Sequence, residues 1–194
     1  MLKKLLLSLA LSVSLFAQHD ASLNLSNDEI ELKGNIDIGE LNQSDYPDTY
    51  FITLGFLDVD NAQSTDPLLE AGFMLRQEIQ AIQGLKFGLG VKGTYTEVSS
   101  KKHTAIPIGV ELAYTLPIDF PMPIIVSGSL FYAPSMLSFQ DAERYFEGRA
   151  EVSLQIVEQA SIFLGYRQIN TDFDGYLGNY AYSDQGYVGF KIRF

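Results

Sequence analysis

Side chains able to do chemistry are few in this chain of 194 residues, and their spacing suits it poorly. The only imidazoles are His19 and His103, and cysteine is absent. A hydrolase needs a nucleophile, a base and an orienting group in one constellation. His103 stands in Lys101-Lys102-His103-Thr104, with no Ser–acid pairing at a spacing that completes such a set. The expectation there is a solvated loop histidine. Asp172-Phe173-Asp174-Gly175 has the start of a calcium loop. Calcium takes about six to eight oxygens, and the remaining spaced ligands and closing glutamate are missing, so a generic turn is expected. Gly84, Gly88, Gly90 and Gly93 lie on a period-two segment with no helix after them, which excludes a phosphate cradle. Without cysteine there is neither a disulfide nor a thiolate metal site. No catalytic, cofactor or metal residue is assigned, and no enzymatic activity is expected.

Charge set within apolar alternation is the regular feature. Period two places alternate side chains on opposite faces of a strand. Over 145–156, Phe146, Gly148, Ala150, Val152, Leu154 and Ile156 form one face, and Glu147, Arg149, Glu151, Ser153 and Gln155 the other. The segment 105–116 sets Ile106, Ile108, Val110, Leu112, Tyr114 and Leu116 against a face carrying Glu111. Segments 85–96 and 29–38 repeat the pattern, with Lys86 and Lys92 on one and Glu29, Glu31, Lys33 and Asp37 on the other. Over all segments the polar face collects eight acids, Glu29, Glu31, Asp37, Glu70, Glu78, Glu111, Glu147 and Glu151. It also collects eight bases, Lys33, Arg76, Lys86, Lys92, Arg149, Arg167, Lys191 and Arg193. The face is therefore neutral, although the chain carries −11, or −13 once Lys3 and Lys4 are removed. Matched ions with hydrogen bonds are tolerated where unpaired charge is costly. Ladders such as Glu147–Arg149–Glu151 are expected on that face.

Ten segments must position these residues: 20–26, 29–38, 50–58, 68–79, 85–96, 105–116, 123–132, 145–156, 160–170 and 186–194. Short turns alternate with longer polar connections at 59–67, 97–104, 133–144 and 171–185, an asymmetry of outer-membrane barrels. An even strand count puts both termini at the short-turn end. The first segment is weak and 39–49 is long where a short turn is expected, so eight strands remain an alternative to ten. Met1-Leu2-Lys3-Lys4 and the apolar run Leu5–Ala17 form a secretory signal with expected cleavage after Ala17, leaving the barrel as residues 18–194. In the last segment Val188, Phe190, Ile192 and Phe194 alternate with Tyr187, Gly189, Lys191 and Arg193. That pattern resembles the closing strand read by barrel-insertion machinery. Tyr46, Tyr50, Tyr95, Tyr132, Tyr166, Tyr182 and Phe194 fall near strand ends, as interfacial girdles do.

Three motifs, Phe131-Tyr132-Ala133-Pro134, Gly165-Tyr166-Arg167-Gln168-Ile169-Asn170 and Tyr187-Val188-Gly189 running to Phe194, resemble in order and spacing the YfaZ family of small bacterial outer-membrane proteins. The resemblance implies an all-β, antiparallel up-and-down transmembrane barrel in the Gram-negative outer membrane and transfers no functional residues. The expectation is a monomeric barrel whose lumen is occluded by ion pairs, with a structural or surface-interaction role. Outer-membrane lipid and lipopolysaccharide are its expected partners, bridged by divalent cations to acids such as Asp58, Asp60, Asp66, Asp141, Glu143, Asp172, Asp174 and Asp184. Nucleic acid is excluded because the chain lacks clustered cations. The alternatives are a narrow porin-like channel, a lipid-modifying enzyme using His103, and a soluble periplasmic ligand-binding barrel.

Overall fold

The computed structural model describes residues 19–41, 48–60, 66–173 and 178–194, with the backbone alone at Glu40 and Leu41. The signal segment 1–17, Tyr46, Asp174 and Gly175 lie outside them. Twelve strands follow in order: β1 Asp20–Leu25, β2 Glu29–Asp37, β3 Tyr50–Val59, β4 Leu68–Glu78, β5 Leu85–Val98, β6 Lys101–Ala105, β7 Ile108–Thr115, β8 Ile124–Ala133, β9 Ser138–Gln140, β10 Ala142–Val157, β11 Ala160–Phe173 and β12 Gly178–Arg193. β6 and β7 are one stave broken at Ile106-Pro107, and β8 and β9 one stave broken by the short turn Ser135–Leu137, after which the chain reverses into β10 at Gln140-Asp141, where Gln140 has φ 65°. Ten antiparallel staves result. They close on themselves because β4 pairs with β5 and β1 pairs with β12. The eight-stave alternative is thereby overturned: the weak first segment pairs along its whole length, Leu23 opposite both Leu32 and Phe190. Among the described residues the longest helical element is the four-residue turn Ile38–Leu41.

Orientation follows from burial. Ile108 is 58% exposed, Val152 51% and Leu164 64%, whereas Glu31, Glu147 and Arg167 are each 1% exposed. Apolar side chains therefore point away from the axis and ions toward it. Such a wall is stable against hydrocarbon, and closure leaves no unpaired edge within the bilayer. A soluble periplasmic barrel would have the opposite arrangement, and that alternative falls. Tyr50, Tyr95, Tyr132, Tyr166 and Phe194 are outward and exposed, as a girdle requires. Tyr182 is not: it lies buried at 3% exposure.

Three connections expected as long loops are largely extended. Val98 pairs with Lys101 across Ser99 and Ser100, whose φ values of 49° and 68° make a two-residue hairpin turn with both central residues left-handed. Serine replaces the usual Asn-Gly there, which hides the turn in the sequence. β12 begins at Gly178 and not at 186, and β11 runs on to Phe173. A bulge between the Ile169–Ser183 and Asn170–Ala181 pairs leaves Tyr182 as the extra residue, so Tyr182 and Ser183 both turn inward. A second irregularity, between Ala142 and Arg144 of β10, lets Ala142 and Tyr145 both face inward. These strands rise beyond the girdle as a crown. The connection 59–67 lies partly outside the described residues.

Lumenal glycines are matched to lumenal aromatics. Gly109 lies directly opposite Phe131, Gly165 opposite Tyr187 and Gly189 opposite Phe163. A Cβ at any of the three would overlap the facing ring. Gly165→Val should therefore lower the unfolding free energy in urea titrations by about 1–3 kcal/mol through overpacking. Gly34→Ala, where the nearest heavy atom would be 3.9 Å away, should leave it nearly unchanged.

Candidate functional site

The lumen is organised in three levels. At mid-barrel, four acids from β2, β4 and β10 meet four bases from β2, β5, β10 and β11. Arg149 binds Glu31 through two nitrogens at 2.6 and 2.9 Å and Glu147 at 2.6 Å. Arg167 binds Glu29 and Glu31 and receives support from Ser183, whose hydroxyl accepts from Nε at 3.0 Å and donates to Glu29 at 2.8 Å. Lys92 joins Glu147 and, at 2.8 Å, Glu70; Lys33 lies 3.7 Å from Glu31 and 3.9 Å from Glu70. The eight charges thus form one connected, neutral layer. Its Arg149–Glu31 chord joins β10 to β2, with β11, β12 and β1 intervening on the shorter way round. Arg76 and Glu111 form a separate pair at 2.9 Å nearer the short-turn end.

Cations in the lumen also rest on aromatic faces. Lys92 lies 4.6 Å from the Phe131 ring centre, Arg76 4.7 Å from Phe51, Arg167 5.2 Å from Tyr187 and Lys191 5.7 Å from Phe163. Ring quadrupoles attract cations in this geometry, and more strongly where water is excluded. Alternation alone does not reveal these partners, because each aromatic is buried on the otherwise polar inner face. The cross-strand Gly–aromatic pairing was the available signal.

Of the sixteen charged residues assigned to the interior by sequence, ten are joined in these ion pairs. The other six are placed differently. Glu151 accepts a hydrogen bond from Tyr187 at 2.5 Å, so the Glu147–Arg149–Glu151 ladder stops after its first pair. Asp37 is fully buried and accepts the backbone N–H groups of Gly39 at 2.8 Å and Asp48 at 2.7 Å. Lys191 has its ring contact. Glu78, Lys86 and Arg193 are exposed at the short-turn mouth, where strand ends meet solvent, and none has an ion-pair partner within 4 Å among the described residues.

Beyond the ion layer, toward the crown, the interior turns apolar. Leu57, Leu68, Val98, Ile169, Phe173 and Tyr182 pack with Ala105, Ala133 and Tyr145 into a sealed stopper. Tyr145 ties the two levels together, since its hydroxyl donates to Glu147 at 2.7 Å. His103 lies inside the stopper at 0% exposure, against Tyr145 and Phe173. The expected solvated loop is therefore corrected: the Ser99–Ser100 turn makes β6 a strand and points His103 inward. Toward the opposite end the lumen widens into a vestibule. An inner cavity of about 140 Å³ and a mouth cavity of about 310 Å³ share Arg76, Glu111, Ser127 and Lys191 in their walls.

Asp172 belongs to β11, is bound by Arg144 at 2.8 Å and accepts from Asn179 at 2.6 Å, as a surface strand residue does. No cluster of three or more metal-ligating side chains occurs among the described residues.

A closed ten-stave barrel with a lipid-compatible exterior and paired ions inside defines the class of small outer-membrane β-barrels. The YfaZ precursor family matches residues 3–194, and the chain belongs to that family. Among solved structures it is similar to a bacterial polysaccharide outer membrane secretin, with 11% identity and TM-score 0.46 over 90% of this chain and 69% of that one. A NanC porin in a rhombohedral crystal form gives 9% and 0.43 over 92% and 98%. The translocator domain of the autotransporter NalP from Neisseria meningitidis gives 16% and 0.32 over 100% and 95%. No curated protein matches the chain.

Removing one member of a buried ion cluster strands its partners at a cost of about 3–5 kcal/mol. Arg167→Met should destabilise the refolded barrel by that amount, because Glu29 and Glu31 both lose a cation. Lys86→Met at the mouth should change stability by less than about 0.5 kcal/mol. Reversible urea unfolding in lipid vesicles measures both.

Proposed function

We propose that this barrel is a closed, monomeric envelope protein with a structural or surface-interaction role and no enzymatic activity. The observation carrying this reading is the continuous obstruction of the lumen, an ion layer backed by an apolar stopper. Moving an ion through it requires breaking buried pairs and wetting the stopper, neither of which an open pore demands. His103-centred lipid chemistry finds no support, since the imidazole is sealed from lipid and solvent alike.

Contact would then fall to the crown. Its outer rim carries Asp58, Asp60, Asp66, Asp141, Glu143, Asp172 and Asp184 with Lys101, Lys102 and Arg144. Some of this charge is internally neutralised, Asp141 by Lys101 at 2.9 Å and Asp172 by Arg144. Asp58, Asp60, Asp66 and Asp184 are the acids that divalent cations would bridge to lipopolysaccharide. On the wall, Val188, Phe190 and Ile192 present an exposed apolar face beside β1, and Phe194 exchanges backbone hydrogen bonds of 2.9 Å with His19. We assign recognition by the barrel-insertion machinery to this closing strand.

A narrow channel is the second reading, favoured by the vestibule that already opens the lumen from the short-turn mouth to the ion layer. Planar-bilayer recordings at neutral pH separate the two. Occlusion predicts no resolvable steps for the wild-type protein. Stable steps that change on neutralising Arg149 or Glu111 would favour the channel instead.

A further inference from the structure

His103 is the only buried imidazole in the crown interior, and among the described residues one of its nitrogens has no partner. Nε2 shares a hydrogen bond of 2.9 Å with the Thr94 hydroxyl on β5, while Nδ1 is buried without a hydrogen bond. The ring lies 5.3 Å from the Tyr145 ring on β10 and 6.3 Å from Phe173 on β11, centre to centre. Those residues are central to the stopper, and Tyr145 also reaches the ion layer.

We propose that His103 is a proton-operated latch: protonation of the unpartnered Nδ1 loosens the stopper and admits outside water to the ion layer, while the barrel wall stays closed. The inference goes beyond the surface role above and rests only on the stopper being sealed at neutral pH.

Among the described residues a protonated ring would find no counter-ion in place. On β5 the neighbours are Thr94 and, toward the turn, Glu97, which lies across from Lys102. Its own strand adds Lys101 and Lys102, both cationic. Asp141, beside β9 and β10, is held by the Lys101 ammonium and the Lys102 backbone N–H. On β10, Tyr145 donates to Glu147, which with Glu70 is bound by Lys92. Phe173 on β11 offers only its ring. A buried cation without a pair or a hydrogen-bond acceptor is costly, so opening is the relief available to it.

The sign of the pH effect follows from linkage. His103 lies across from Thr96, on the crown side of the Tyr95–Thr104 pair that marks the girdle, and burial pushes its pKa down from 6.5 to about 4. A ring that regains water in the opened stopper returns toward 6.5. The closed state therefore keeps its full advantage above about pH 6.5 and loses it progressively as pH falls toward 4.

The absence of cysteine makes the test direct. Val98→Cys, inside the stopper, is labelled with a bulky membrane-impermeant thiol reagent on the full barrel in micelles. Its rate is divided by that of Asn179→Cys on the exposed crown, which cancels the pH dependence of thiol chemistry. The ratio is expected to rise by roughly tenfold or more between pH 7.5 and 4.5, and to stay flat in a His103→Leu background. A flat ratio with His103 present, or an equal rise without it, would overturn the latch. NMR titration of the two imidazoles in the unmutated protein checks the same point without any substitution. An ordinary histidine pKa for His103 overturns the proposal, and one depressed well below 6 supports it. Bilayer steps at neutral pH would remove the sealed stopper that the latch presupposes, whereas a silent bilayer with a flat labelling ratio would overturn the latch and leave the occluded barrel standing.

Discussion

A wall that faces hydrocarbon on one side confines every charge on its other side to the few partners the lumen can supply. Glu31 is the centre of that constraint, since Arg149, Arg167 and Lys33 all converge on it and Asn24 donates to it as well. Its carboxylate links β2 to β10 and β11 across the lumen, so strands remote in sequence are held at one spacing. Buried ion pairs of this kind are a poor source of net stability, because desolvation offsets much of the attraction. Their effect here is on specificity: a one-residue slip of any stave would turn its ions toward lipid and its apolar side chains inward.

Space in the lumen is divided by the same logic. Where a large ring must lie flat against the wall, the opposing stave carries glycine, as in Gly165–Tyr187 and Gly189–Phe163. The ring then serves as a platform for Arg167 or Lys191 and shields the strand behind it. Above this level the crown no longer needs a lipid-facing exterior, and its interior adopts the apolar packing of a water-soluble protein. The barrel is thus a membrane protein at its waist and a globular one at its outer end, with Tyr145 spanning the junction.

The waist was legible in the sequence because one face meets lipid and the period of two runs unbroken through it. Val152 and Glu147 on a single strand suffice to orient the wall. The crown was not legible, for local reasons: the bulge at Tyr182 and the irregularity before Arg144 each reverse the alternation, and the Ser99–Ser100 turn lacks the residues that usually mark a two-residue hairpin. His103 was consequently read as solvated when it is sealed. Within the lumen, the set of ions could be listed but their partners could not, since Glu31 and Arg149 are 118 residues apart in the chain and meet only after closure. The inward role of Phe51, Phe131 and Phe163 is hidden for a related reason. An inward aromatic has meaning only when the glycine or cation opposite it is known.

This arrangement makes the barrel a vestibule that ends against its own electrostatic floor, open toward the short-turn side and closed toward the crown. The account stands on the chord between Glu31 and Arg149, and a double-mutant cycle with Glu31→Gln and Arg149→Met, read by reversible unfolding, measures it directly. A coupling free energy of about 2–3 kcal/mol, with the double variant more stable than the sum of the singles implies, is the predicted result. Costs that add to within about 0.5 kcal/mol would contradict it, because two side chains that ignore each other cannot span the lumen as a bonded pair.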